Sequence, residues 1–309
     1  MKKDRRLQKC EAVIGNIVDW KQNERPALIE MNKDKEGRPF LYSDELITKI
    51  SFLRSMSCDK LIPTEALTRR LYGSSPDHTT ISRRLYRLDV KWTIDRKRRK
   101  GRLLAIDATG MSVCRTGSYR HSKYGGAPRF YKLHALFDPD TKEIVDLRVT
   151  KDRRHDNRKF GPMVREAASR GDTIYADGAY DAKENFSFLD KRGIRPGIKI
   201  RLTSSPTATG CLPRKKAVVE QFSFLPHSHL EKTHPPAEKG VMFFNETERM
   251  KYWQKRWKEK VGYGRRWLIE SFFSAFKRVY GDYAPSRVWK KVKNEMTLKL
   301  LSYDSLLKI

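Results

Sequence analysis

Across residues 41–90 the apolar positions recur at helical spacing and strand formers are few. Pro63 opens one helix, and Gly73-Ser74-Ser75-Pro76 separates it from the next. Thr64 is expected to cap a helix over residues 65–72, and Asp77 or Thr79 a second one running through Ile81 to Leu88. In that second helix Ile81, Leu85 and Leu88 fall on the inward side, while Ser82, Arg83 and Arg87 lie near the exposed side. The pair has the form of a helix–turn–helix whose second member reads a major groove, although an ordinary helical hairpin with solvated arginines fits the same pattern.

Past residue 100 the period shortens. Leu103-Leu104-Ala105-Ile106 is a short apolar run ending at Asp107. Strands over residues 130–137 and 144–150 are joined by the tight-turn sequence Asp138-Pro139-Asp140-Thr141-Lys142. A helix over 157–170 follows, with Asp156 as cap and Gly171 as stop. Then come a strand over 173–176 ending at Asp177, a helix over 182–191 capped by Asp181 and ended by Gly193, and a fifth strand over 195–200. Pro196 in that strand is best tolerated at a sheet edge. Residues 201–244 are irregular and proline-rich, with short β-prone pieces such as 217–224, and from 245 the chain is helical and basic to its end. No internal repeat is evident.

Composition narrows the partners. Among 309 residues, 66 Lys and Arg face 37 Asp and Glu, a net charge of +29 that exceeds what solubility needs and points to a polyanion. Nucleic acid leads and an anionic membrane trails, because no stretch approaches ~18 uninterrupted apolar residues. Met1-Lys2-Lys3-Asp4-Arg5-Arg6 has no apolar core behind it, so no signal peptide is read and a cytoplasmic, nucleoid-associated protein is expected. Cys10, Cys58, Cys114 and Cys211 lie far apart without a C-x-x-C pair, which argues for free thiols rather than a zinc ribbon or disulfides. His227, His229 and His234 read better as a solvated loop than as metal ligands. The run Arg96-Lys97-Arg98-Arg99-Lys100 reads as a linker that also lies on phosphates.

The candidate chemistry begins with two short apolar strands that each end in an aspartate. Sites in α/β sheets gather at the carboxyl ends of strands, so Asp107 and Asp177 are expected to be neighbours. Tyr263, Arg266, Glu270 and Lys277 stand at offsets of 0, 3, 7 and 14, within about 60° of one another on a helix. A carboxylate with cations a turn or two away binds metal while the cations hold phosphates. A solvated face with i, i+4 ion pairs has the same spacing. Trp267, Leu268, Phe272, Phe273 and Phe276, however, make this helix apolar over much of its surface, so it should pack on the sheet and carry Glu270 toward the aspartates.

On Asp107-Ala108-Thr109, on Asp177-Gly178-Ala179-Tyr180 and above all on Tyr263-x2-Arg266-x3-Glu270-x6-Lys277, the chain resembles the insertion-sequence DDE transposases of families four and five. The resemblance spans roughly Leu103 to Lys277, with a fainter match in the helical N-terminal part. It implies a ribonuclease-H-like α/β catalytic domain, a mixed five-stranded sheet with flanking helices. The implied organisation is an N-terminal helical, helix–turn–helix-like DNA-binding region over 1–95, a basic linker over 96–102, and the first part of the catalytic domain over 103–200. An insertion over 201–244 and the catalytic helix with a C-terminal helical region over 245–309 complete it. Asp107, Asp177 and Glu270 are the implied catalytic and metal residues, binding two Mg2+ ions, with Mn2+ able to substitute, for an in-line displacement. Arg266 and Lys277 would grip phosphates and Tyr263 would contact the same strand end. Arg83, Arg87 and the linker would recognise terminal repeats. The implied partners are double-stranded DNA, as transposon ends and target, and further copies of the chain in a dimer or larger assembly on DNA, with no membrane. A catalytically silent helix–turn–helix regulator and a ribonuclease-H-like structure-specific nuclease are the competing readings.

Overall fold

The structure, a computed structural model, describes residues 20–57, 60–90, 101–113, 130–151, 156–204, 210–222, 246–284, 286 and 288–308. Arg96 to Lys100, Cys10, Cys58, Cys114 and the three histidines His227, His229 and His234 lie outside the described residues. In chain order the elements are α1 (Trp20–Asn32), α2 (Asp44–Ser57), α3 (Leu61–Tyr72), α4 (His78–Arg87), β1 (Leu103–Val113), β2 (Phe130–Asp138), β3 (Glu143–Lys151) and α5 (Asn157–Ala167). They continue with β4 (Thr173–Ala176), α6 (Lys183–Lys191), β5 (Arg195–Ile198), α7 (Leu212–Phe222), α8 (Glu246–Val261), α9 (Trp267–Tyr280), β6 (Tyr283–Ala284) and α10 (Trp289–Lys308). Two compact units result, one of Thr93–Thr109 and Lys132–Phe273, the other of Met1–Trp92, Gly110–Tyr131 and Ser274–Ile309.

The sheet runs in the order β3-β2-β1-β4-β5, with β6 pairing separately on β1. β1 and β4 are parallel, as are β4 and β5. A short turn joins β2 to β3, which forces that pair to be antiparallel, so the sheet is mixed, as a ribonuclease-H-like domain requires. Leu104, Ala105 and Ile106 of β1 and Ile174, Tyr175 and Ala176 of β4 are all buried, the continuous apolarity expected of central parallel strands. Phe160, Met163 and Val164 of α5 and Phe186 and Leu189 of α6 complete the core against them. β5 ends the order, so Pro196 does sit in an edge strand. That edge is not left bare. Gln221 of α7 donates to the Ile198 carbonyl (2.7 Å) and accepts from the Ile200 N–H (2.9 Å), and Gln254 of α8 donates to the Ile200 carbonyl (2.8 Å).

Several local readings change. Asp107 is not at a strand end, because β1 continues to Val113. Residues 217–222, expected to be β-prone, belong to helix α7: Ala217, Val218, Gln221 and Phe222 are buried at helical spacing, which outweighs the strand preference of the valines. Thr64 is no cap, since α3 starts earlier at Leu61 and the Thr64 hydroxyl donates to the Lys60 carbonyl (2.8 Å). Asp156 makes no capping hydrogen bond and instead accepts from Lys132 (2.9 Å). Asp181 is drawn away from α6 by Arg214, whose guanidinium donates to both its oxygens (2.6 and 2.9 Å). Only the fourth expected cap holds: Asp77 accepts from the Thr79 and Thr80 N–H groups (2.7 and 3.1 Å). Cys211 is a free, buried thiol.

In the other unit, α2 and α4 pack with α10 through Ile47, Leu85, Leu88 and Leu298. Gly73, in the left-handed region at φ 76°, ends α3 and lets the chain turn into α4. Ile81 and Leu85 are buried and Arg83 and Arg87 exposed, as read from the sequence. Arg84 is buried, held by Asp44 and the Tyr42 carbonyl. Asn294 of α10, 1% exposed, donates to the Leu85 and Leu88 carbonyls (2.8 and 2.7 Å) and accepts from the Val90 N–H (3.3 Å).

Two substitutions test these contacts by chemical denaturation. Gly197 faces the Tyr175 ring so closely that a Cβ would overlap it, so Gly197→Ala should lose roughly 1–3 kcal/mol of stability by overpacking. Asn294→Ala leaves two buried carbonyls without a donor and should lose about 1–3 kcal/mol; a change of a few tenths in either case would mean that the contact is dispensable.

Candidate functional site

The parallel register of β1 and β4 sets the first two acids side by side. Ala105 pairs with Tyr175, and the same register carried two residues on puts Asp107 level with Asp177, on strands about 4.8 Å apart. Asp177 is the first residue beyond β4. Its carboxylate accepts from the Ala179 N–H (2.8 Å) and so opens the 3-10 turn Gly178–Tyr180. Asp107, its side chain 18% exposed, accepts from the Ala108 N–H (2.8 Å).

The third acid arrives from the far end of the catalytic segment. Gly262 adopts φ 68°, which a side chain would resist, and turns the chain from α8 into a 3-10 turn over Tyr263–Arg266. The four motif residues therefore do not share one α-helical stripe, since α9 starts only at Trp267. Tyr263 is buried. Its hydroxyl donates to the Ala176 carbonyl (2.8 Å), and its ring packs on Tyr175 (5.8 Å, edge-on) and Trp257 (5.4 Å). The turn is thus pinned to the last residue of β4, next to Asp177. From there the Arg266 guanidinium reaches the Asp107 carboxylate (3.2 Å) with one nitrogen and Glu270 with another. Phe272 packs on Phe137 of β2 (5.4 Å), which brings the start of α9 onto the sheet as its apolar face predicts. Trp267, counted in that face, is 63% exposed instead.

The charges respond to this crowding. The Asp107 carboxyl is pushed up to about 6, chiefly by burial, with Asp177 and Glu270 adding to the effect against the pull of the Ala108 N–H and Arg266. Burial opposes the charge on Arg266, yet Tyr263, Glu270 and Asp107 hold its pKa above the usual value. The buried Tyr180 hydroxyl is raised well above its ordinary range by desolvation and by the nearby Asp107, Asp156 and Asp177. Beside them His134 shares a hydrogen bond with Thr150 (2.8 Å) and is pushed down to about 4 by burial, so it is neutral at pH 7.

Hard carboxylate oxygens are the donors that Mg2+ and Mn2+ prefer, and mutual repulsion of the kind seen at Asp107 is what a cation relieves. Among the described residues no group of three His, Cys, Asp or Glu side chains is close enough to hold an ion. Between Asp107 and Glu270 the positive charge is supplied by the Arg266 guanidinium.

Lys277 lies two turns beyond Glu270 on α9, half-buried, in the part of the helix assigned to the other unit. Arg83 and Arg87 are exposed on α4 of that unit, where α10 adds cations that the sequence reading did not single out. Lys290 lies 5.4 Å from the Tyr86 ring and Lys291 donates to the Ser82 hydroxyl (2.8 Å). Their only sequence signal is the Lys290-Lys291 pair at the start of a helix.

The sequence profile of the transposase DDE domain matches residues 98–304. Among solved structures, the chain is similar to a Drosophila P element transposase strand transfer complex at 12% identity, covering 97% of this chain and 86% of that one, with a TM-score of 0.33. It is similar to a Mos1 transposase paired-end complex with left transposon end at 10% identity, 73% and 80% coverage and a TM-score of 0.23. A chain of a simian T-cell lymphotropic virus intasome in complex with PP2A regulatory subunit B56 gamma gives 13%, 65% and 66% coverage and 0.23. The profile match takes in well over half of the 309 residues, and the chain belongs to the transposase DDE domain family.

Proposed function

We propose that this DDE transposase mobilises an insertion sequence, cutting phosphodiester bonds at the element's ends and joining them to target DNA, with Asp107, Asp177 and Glu270 as the metal-holding carboxylates. The observation that carries the reading is the convergence of three acids from distant parts of the chain: the β1–β4 register sets Asp107 level with Asp177, and the Arg266 guanidinium joins Asp107 to Glu270, 163 positions further along. A pair of Mg2+ ions, with Mn2+ able to replace them, would there activate the attacking water or 3′-hydroxyl and stabilise the leaving oxygen.

The chain's own residues do the rest. Asp177 is oriented by the Ala179 N–H and Asp107 by the Ala108 N–H. Arg266 offsets the negative charge of Asp107 and Glu270 and stands ready to hold a phosphate beside them, because guanidinium matches both groups. Tyr263 fixes where Arg266 starts. On the helical unit Arg83 and Arg87, with the basic run over 96–100, are proposed to contact the terminal repeats, and Lys277 a phosphate near the cut. Two DNA ends have to be joined, so a dimer or larger assembly on DNA is proposed. No described helix is long and apolar enough to cross a membrane; a place at the nucleoid in the cytoplasm is proposed from the DNA substrate.

With a plasmid carrying the element and its flanking DNA, cutting at the element's ends is expected in Mg2+ or Mn2+ and not in EDTA. Glu270→Gln should lower it on the order of 10²–10³-fold, the usual effect of removing one transition-state stabilising group. DNA binding without cutting in either metal would support the silent regulator, and cutting that ignores the ends a structure-specific nuclease.

The raised Asp107 pKa gives a second test, on metal-free protein. Ionised Asp107 destabilises the fold relative to its protonated form. The penalty is absent below the ordinary 3.8, where the carboxyl is protonated folded or unfolded, grows as pH rises, and is complete above about 6. Asp107→Asn should therefore be more stable than wild type at pH 7.5, on the order of 2 kcal/mol, with the gap closing at pH 4 in melting curves. A gap independent of pH would show that Asp107 does not bear this strain.

A further inference from the structure

Tyr263 has cations on more than one flank. Besides Arg266, whose guanidinium carbon lies 5.7 Å from the ring centroid, Lys258 of α8 brings its ammonium to 6.0 Å. The Ala176 carbonyl that accepts the Tyr263 hydroxyl (2.8 Å) also accepts the backbone N–H of Lys199 (3.0 Å), just past β5. Lys258 and Arg266 thus meet one aromatic ring from separate segments, while the backbone of Lys199 meets the carbonyl that holds that ring, immediately before Asp177, and its ammonium acts on that of Lys258.

In the protein alone this is an unfavourable arrangement. Lys199 and Lys258 are half-buried, and among the described residues neither meets a carboxylate within ion-pair distance. The Nε of Arg266 is buried, and among the described residues it has no hydrogen-bond partner. Burial, with Lys199 and Arg266 adding to it, holds the Lys258 ammonium below its usual pKa. Half-buried like charges disfavour one another unless an anion joins them. A phosphodiester fits, offering oxygens that accept from ammonium and guanidinium alike and lying at regular intervals along a nucleic-acid strand.

We propose that Lys199, Lys258 and the Nε edge of Arg266 form a phosphate cradle that holds a backbone phosphate of the bound DNA strand beside the one that is cut. The cradle rests on the reading that the neighbouring acids act on DNA. Lys199 and Lys258 are positioning residues in it: they fix the register of the strand relative to Asp107 and Asp177 and take no part in bond breaking. Neither lies in the signature Tyr263-x2-Arg266-x3-Glu270-x6-Lys277, and only the fold brings them to it.

The test uses the full chain in EDTA, so that binding is read without cutting, on a duplex of the element's end across a salt series. Each of Lys199→Gln and Lys258→Gln should reduce the slope of log K against log salt by about 0.9, or about 0.7 where the strand is single. Lys258→Arg should keep the wild-type slope. The melting temperature of the DNA-free Gln variants should stay equal or rise, since a repelling charge has gone. Unchanged slopes would overturn the cradle, as would a fall in melting temperature that accompanies weaker binding, or an Arg variant that folds normally yet behaves like Gln. Cutting and slopes separate the two readings: metal-dependent cutting that survives Glu270→Gln would refute the acidic site and leave the slopes of Lys199→Gln and Lys258→Gln to decide the cradle.

Discussion

A carboxylate buried against an apolar sheet is costly to ionise, and a cation placed beside it lowers that cost. Asp107 is such a group: burial, with Asp177 and Glu270 adding to it, pushes its carboxyl up to about 6. Arg266 supplies the charge. Its position is set by a line of packing that begins at the sheet edge: Gly197 leaves room for the Tyr175 ring, Tyr175 supports Tyr263, and Tyr263 is tied to the carbonyl of Ala176. A left-handed glycine, Gly262, lets the chain enter this line at the right angle. Glu270 then follows one helical turn after Arg266 and needs no further support to reach it.

The same region holds charge of both signs that the protein alone does not balance. Arg266 is bonded to Asp107 and Glu270, and the ammonium of Lys258, which among the described residues has no carboxylate partner, lies at the same Tyr263 ring. Sites that bind charged ligands are often strained in their absence, and stability is given up there for recognition. The net charge of +29 is the chain-wide counterpart of this local excess.

In the helical unit α4 buries one side and leaves arginines exposed on the other. Two of the unit's buried polar side chains find partners distant in sequence. Asn294 closes the C-terminal end of α4, and Arg84 is held by Asp44 and Tyr42 at its side. With that side fixed, Arg83, Tyr86 and Arg87 remain exposed.

Much of this was legible in the order of residues, because local periodicity reports which face of an element is buried. The five main strands, the Asp77 cap, the edge position of Pro196 and the motifs around Asp107, Asp177 and Glu270 depend on neighbours within a turn or a strand length. What escaped depends on partners far along the chain. Asp156 and Asp181 have the composition of caps but are drawn off by Lys132 and Arg214. Residues 217–222 have β-prone side chains but become a helix because Gln221 and Phe222 are needed against β5 and the core. The sequence by itself determined which residue types could do the chemistry and roughly on which elements they stand. Only the tertiary structure decided that Arg266, 159 positions from Asp107, lies against it and bridges it to Glu270, because a contact at that separation is made by packing and leaves no local pattern to read.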